Sequence, residues 1–150
     1  MLIPRIFSIL LGFTAVSAVN AGGFDTPEDA VRALEQAYVQ KNVDAAVAAM
    51  DFVEEGRQLL QKIDPTMAND AETIKQFADA RELAFRNELR TKGFPEPGKL
   101  KCSIVGKAQI SPELVKLTEQ CAFSDGGKSF RDRFAIKRDL EWRVTKPPPP

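Results

Sequence analysis

Histidine is absent from the 150 residues. Catalytic triads built on imidazole, histidine-ligated zinc and imidazole general bases are therefore excluded. Charge of one sign is also missing, since 21 basic and 21 acidic residues give a formal net charge of zero. The chain thus lacks the electrostatic footprint of a nucleic-acid binder or a polybasic membrane binder. Cysteine is scarce, at two residues with no Cys-x-x-Cys spacing, so a redox or metal role has little to rest on. No metal and no cofactor is expected. What remains is ordinary for a globular protein, 43% apolar and 28% charged, in a length that builds one core.

Met1 to Ala21 reads as a signal peptide. Arg5 supplies the positive start, and Ile6 to Val16 is a nearly unbroken apolar run. Val19-Asn20-Ala21 places small residues where a signal peptidase reads, with Val16-Ser17-Ala18 as a second site. The run is shorter than the roughly 20 residues of a spanning helix, and no cysteine follows it for lipid attachment. The expected organisation is a signal peptide over 1–21, one domain over 22–145 and a proline tail over 146–150. The mature chain is expected to be periplasmic or secreted, with no stable membrane anchor.

Helical periodicity fills the first half of the mature chain. Thr26-Pro27-Glu28-Asp29 combines an N-cap, a proline at the first helical position and a capping box. Ala30, Val31, Leu34, Ala37 and Tyr38 carry that helix to about Lys41. Asn42 to Asp44 starts a second helix with Val43, Ala46, Val47 and Met50. A third runs from Phe52 to Ile63, with Leu59, Leu60 and Ile63 apolar, and stops at Asp64-Pro65. The longest helix starts near Asp70 and ends at Lys92-Gly93. Its stripe of Ile74, Phe77, Ala78, Phe85 and Leu89 includes Arg81, which must find a partner or reach water.

Leu100 to Thr145 has the period of strands. Leu100, Cys102, Ile104, Ala108 and Ile110 share one face; so do Val115, Leu117, Glu119, Cys121 and Phe123. Phe130, Asp132, Phe134 and Ile136 form the third inner set, and Trp142 and Val144 the fourth. A turn at Ser111-Pro112 sets Cys102 opposite Cys121, where an oxidising compartment permits a cross-strand disulfide; two buried thiols are the alternative. Asp125-Gly126-Gly127-Lys128 reads as a two-residue hairpin. Arg138-Asp139-Leu140 reads as a three-residue turn, placing Lys137 opposite Glu141. The fold class is α+β, with helices packed on a curved four-stranded antiparallel sheet.

The segment from Thr26 to Leu34, followed by Lys41-Asn42-Val43-Asp44-Ala45-Ala46, resembles the opening of nuclear-transport-factor-2-like domains, the superfamily with ketosteroid isomerase and the SnoaL-like proteins. Phe134 to Arg138 and Glu141-Trp142-Arg143-Val144 resemble their last hairpin. The resemblance implies a cone, or cystatin-like roll, with a pocket at its open end. It also implies a short strand or strand pair between the second helix and the longest one, where Asp51 to Asn69 reads here as helix and loop.

Inward parity brings Glu119 and Asp132 together as the only candidate bases, with Arg81 as the cation to neutralise them. The expected pocket is Arg81, Phe85, Glu119, Asp132, Phe134 and Trp142. Arg131, Arg133, Lys137 and Arg143, with Lys101 and Lys107 nearby, form an expected basic strip on the outer face, suited to an acidic protein partner. These readings favour an exported, non-catalytic binding domain for a protein partner or small ligand, with an immunity or inhibitor protein as one form. The alternative is an isomerase or dehydratase using Asp132 or Glu119 as base. A tethered accessory of an envelope assembly is a third reading, and a homodimer is left open.

Overall fold

Every helix begins at a short polar side chain that accepts one of its otherwise unpaired N–H groups. In the computed structural model, which describes residues 23–95 and 101–148, Thr26 caps α1 (Pro27–Val39) and Asn42 caps α2 (Val43–Ala48). Asp51 caps α3 (Phe52–Ile63) and Asp70 caps α4 (Ala71–Thr91). A 3₁₀ turn, Pro65–Met67, joins α3 to α4. Gly93, at φ 83°, follows the end of α4 in the left-handed conformation expected of a helix stop. Met1–Ala21, the loop Glu96–Gly98 and Leu100 lie outside the described residues.

Four antiparallel strands follow in sequential order: β1 (Lys101–Gln109), β2 (Leu114–Ala122), β3 (Lys128–Arg138) and β4 (Glu141–Thr145). The class is α+β, as expected. Ala30, Val31, Leu34 and Ala37 of α1 are buried against Val115, Leu117 and Val144, and this is the core. The far edge of β4 is covered by two short segments. Phe24 pairs with Trp142, and Met50 forms an isolated parallel bridge with Val144. That bridge is all the strand pairing seen where the resemblance implies a strand or strand pair.

Three details of register depart from the sequence reading. After Ile104 a bulge inserts Val105, so that Gly106 pairs with Thr118 and Lys107 with Leu117. Ala108 and Ile110, expected inside, therefore lie outside and exposed. Between β2 and β3 the loop runs from Phe123 to Gly127, closed by the Phe123 N–H donating to the Gly127 carbonyl at 2.8 Å. It is longer than a two-residue turn, and Phe123 belongs to it rather than to the inner face. The resulting register is displaced by an odd number of residues, which exchanges the two faces of β3. Arg131, Arg133 and Ala135 face α1, while Phe130 (64% exposed) and Asp132 face outward. The last turn is Asp139-Leu140 alone, with φ of 52° and 70°, a type I′ geometry. Lys137 consequently pairs with Trp142, and Arg138 rather than Lys137 faces Glu141. This second odd displacement offsets the first, leaving Val144 buried in the core and Trp142 packed against it.

Helices α3 and α4 touch at a glycine. A Cβ on Gly56 would sit 2.9 Å from the Ala78 nitrogen and 3.0 Å from the Ile74 carbonyl oxygen. In an open helix, glycine to alanine gains about 1 kcal/mol of propensity. Here backbone blocks the methyl, and overpacking costs roughly 1–3 kcal/mol. Gly56→Ala is expected to lower stability in urea unfolding; a rise would mean the two helices separate at no cost.

Candidate functional site

Glu119 is 1% exposed, and the arginines that the β3 register turns inward reach it. Arg131 Nε donates to its Oε2 at 2.6 Å and Arg133 Nε to the same oxygen at 3.0 Å. Arg131 also bonds Glu35 of α1 and lies 3.5 Å from Cys102 Sγ. The four side chains fasten α1 to the sheet, and Glu119 carries no free lone pair on Oε2 for base chemistry. The expected pairing of Glu119 with Arg81 is corrected accordingly.

Burial raises the Glu35 carboxyl above the ordinary glutamate range, and the neighbouring Glu119 charge adds to this. Arg131 and Arg133 pull the other way. A carboxyl raised in the folded state favours folding below its unfolded value, and that contribution is lost as pH rises through the folded value. Wild-type stability relative to Glu35→Gln should therefore fall as pH rises from about 4.5 to neutral. Urea unfolding of both proteins across that range checks this, and a difference that grows with pH would contradict it.

Asp132 sits on the outer face, where both its oxygens are engaged. Thr118 Oγ1 donates at 2.9 Å and Lys116 Nζ lies at 3.4 Å. Arg81 takes neither expected partner. Its Nε and Nη2 donate to Glu55 Oε2 of α3 at 3.3 and 3.2 Å, and Lys146 Nζ approaches the same oxygen at 3.2 Å. The expected basic strip is dispersed as well. Arg131 and Arg133 are spent on Glu119, Lys137 lies 6.0 Å above the Trp142 ring, and Arg143 pairs with Glu141 at 3.4 Å. The reason is again β3 parity, since an alternating strip belongs to one face and this one belongs largely to the inner.

A cleft of about 280 Å³ opens where β4 ends, between α1, α4 and the edge of β3. Leu34, Tyr38 and Phe85 form its apolar wall, and Glu55, Arg81 and Thr145 its polar one. Of the expected pocket residues, Arg81, Phe85, Asp132 and Phe134 line it, while Glu119 and Trp142 do not. Two buried atoms in this wall lack any hydrogen-bond partner, Glu55 Oε1 and Thr145 Oγ1. A neighbouring hollow of about 400 Å³ shares Tyr38, Phe85 and Glu88 with the cleft and reaches Phe94. Sequence reasoning missed Glu55, Thr145 and Lys146. The helical spacing holds a signal for Glu55, which lies four residues before Leu59 and so on the apolar face of α3.

Fold and site together define a small, disulfide-bonded α+β domain with a part-polar cleft at the edge of its sheet. No family model matches the chain, and no curated protein does. Among solved structures, one from Campylobacter jejuni described as an NTF2-like transpeptidase is similar at 17% identity. The match covers 81% of this chain and 99% of that one, with a TM-score of 0.46. No activity follows from that likeness.

Proposed function

We propose that the chain is an exported, non-catalytic binding domain whose ligand occupies the cleft between α1, α4 and the end of β4. The observation that carries this reading is the pair of buried, unpartnered atoms in the cleft wall, Glu55 Oε1 and Thr145 Oγ1. Leaving a polar group buried without a partner costs about 1–3 kcal/mol, and because both atoms are closed to solvent a ligand recovers it by shifting the side chains that cover them. Two further features support binding over catalysis. Glu119 is held by two guanidinium groups, and Asp132 by Lys116 and Thr118. Neither is a free base above the cleft. Export is read from the N-terminal segment, and the Cys102–Cys121 disulfide is compatible with an oxidising compartment. No helix of the described residues is long and apolar enough to cross a membrane.

A site that keeps an unpaired hydroxyl for a ligand does so at the expense of stability. Thr145→Val, nearly isosteric, should stabilise the mature chain by about 1 kcal/mol and weaken every ligand of the cleft. Fragment screening by NMR tests the second half. Hits should shift resonances of Tyr38, Phe85 and Thr145 and bind the variant less well. Hits scattered over the surface, or indifferent to Thr145→Val, would remove the cleft from consideration.

A further inference from the structure

The cleft exists because β4 stops early. Its five residues pair with Phe134–Arg138, whereas β3 runs back to Lys128. Residues 128–133 of β3 therefore have β2 on one side and, among the described residues, no strand on the other. The stop is written in the sequence. Had β4 continued, Lys146, Pro147 and Pro148 would have come next beside β3. Proline donates no hydrogen bond to a ladder, so the chain's own tail is kept from closing this edge. The backbone groups left over can be identified. The two-residue turn makes Arg138 and Glu141 a hydrogen-bonded pair, and bonding alternates from there. Lys137 points the other way, its N–H donating to Glu113 on the β2 side at 2.7 Å. Phe134, Ile136 and Arg138 thus serve β4, and Phe130 and Asp132 present N–H and C=O groups to the open edge.

Resting on the binding reading above, we propose that the occupant is an extended peptide segment of a partner protein, added to β3 as a strand in the line of β4. Open backbone groups at strand spacing are satisfied in register by another strand, and main-chain bonding of this kind is a recurrent mode of peptide capture. The edge meets the cleft at Asp132, Arg133 and Phe134, where Leu34 and Tyr38 of α1 and Lys146 and Pro147 of the tail also line it. A single extended chain brings only a backbone and side chains to this edge, whereas the edge of a second copy would arrive with its own helices attached. Peptide side chains on the inner face meet Leu34 and Tyr38, so apolar residues are favoured at those alternate positions. A donor-bearing side chain beside them would satisfy Thr145 Oγ1 or Glu55 Oε1.

Two measurements on the mature chain decide the matter. The probe is a heptapeptide of alternating valine and threonine with lysine at each end, compared with the same peptide N-methylated on alternate backbone nitrogens. The plain peptide should slow amide hydrogen exchange at Phe130 and Asp132 at least tenfold, and the methylated one should not. Separately, Pro147→Val with Pro148→Thr should let the tail pair with β3, slowing the same two amides without peptide and abolishing peptide binding. Equal effects of both peptides, or no added protection in the double variant, overturn the strand-addition proposal. In the unsubstituted chain, protection that appears without peptide, together with dimerisation, overturns it in favour of a second copy. If phenol or another neutral fragment shifts Tyr38 and Thr145 while neither peptide does, the peptide proposal fails and the binding cleft stands. If nothing binds there, both fail.

Discussion

Glu119→Ala should be among the most damaging single substitutions in this protein, costing about 3 kcal/mol. Removing one partner of a buried ion pair typically costs roughly 3–5 kcal/mol, because the charge left behind has lost its compensation. Here two charges are left, Arg131 and Arg133, with Glu35 as the one carboxylate still beside them. Their side chains remain 36% and 28% accessible, so they reach water in part, which places the expected loss at the lower end of that range. Glu119→Gln keeps the shape and one acceptor and should cost about half as much. Urea unfolding at neutral pH measures both. A loss for Glu119→Ala below about 0.5 kcal/mol, the usual scale of an exposed pair, would mean that the cluster is not what holds α1 on the sheet. The same experiment bears on function: an alanine variant that is destabilised but, where folded, still binds the fragments that occupy the cleft would mark Glu119 as structural.

Breaking the Cys102–Cys121 bridge should cost a similar amount. The cysteines are 19 residues apart in sequence, and releasing a loop of that size from the unfolded chain costs about 3 kcal/mol in the chain-entropy account. For a domain of this length that is a fall of roughly 10 °C in the melting temperature. The damage should also be local. Strand β1 lies at the edge of the sheet and pairs with β2. Among its ties to the helices are Ile104, packed on the core that includes α1, and Lys107 with Glu28 of α1 at 3.0 Å. A Cys102→Ser, Cys121→Ser double variant should therefore lose hydrogen-exchange protection first along β1, with β2 and β3 following only on global unfolding. Uniform loss across the sheet, or an unchanged melting temperature under reducing conditions, would contradict this.

The two predictions concern neighbouring residues with different histories in the sequence. Cys102 and Cys121 could be set opposite one another because two departures cancel: next to the turn the register is one residue off the Ser111-Pro112 reading, and the bulge at Val105, between that turn and the cysteines, takes it back. Glu119 could be placed inside from the alternation of its own strand, where Val115, Leu117 and Cys121 share its face. Its partners could not be named. Arg131 and Arg133 look solvent-facing when Gly126-Gly127 is taken as the turn, and inward-facing when the loop runs from Phe123 to Gly127. Both glycine positions accept the turn, so composition alone does not choose between them. What chooses is Glu119, whose burial needs a cation opposite it rather than the aromatic ring of Phe134.

The candidate cleft was half legible. Arg81 and Phe85 follow from the stripe of α4, because helical period survives small errors in where a helix begins. Glu55 was hidden by its setting, an acidic residue in the first turn of α3 where the helix dipole already accounts for a negative charge. Thr145 and Lys146 looked like the end of a strand and the start of a tail.

By itself the sequence determined where every helix starts, because each start is a contact between residues no more than three apart. It determined the four strands and the place where β4 must end, because proline cannot donate. Only the tertiary structure decided which face of β3 points inward, which carboxylates the arginines find, and that stopping β4 leaves a cleft rather than a frayed end. The physical reason is the two-residue period of a strand: one loop of odd rather than even displacement turns every side chain over, and no local preference is strong enough to forbid it.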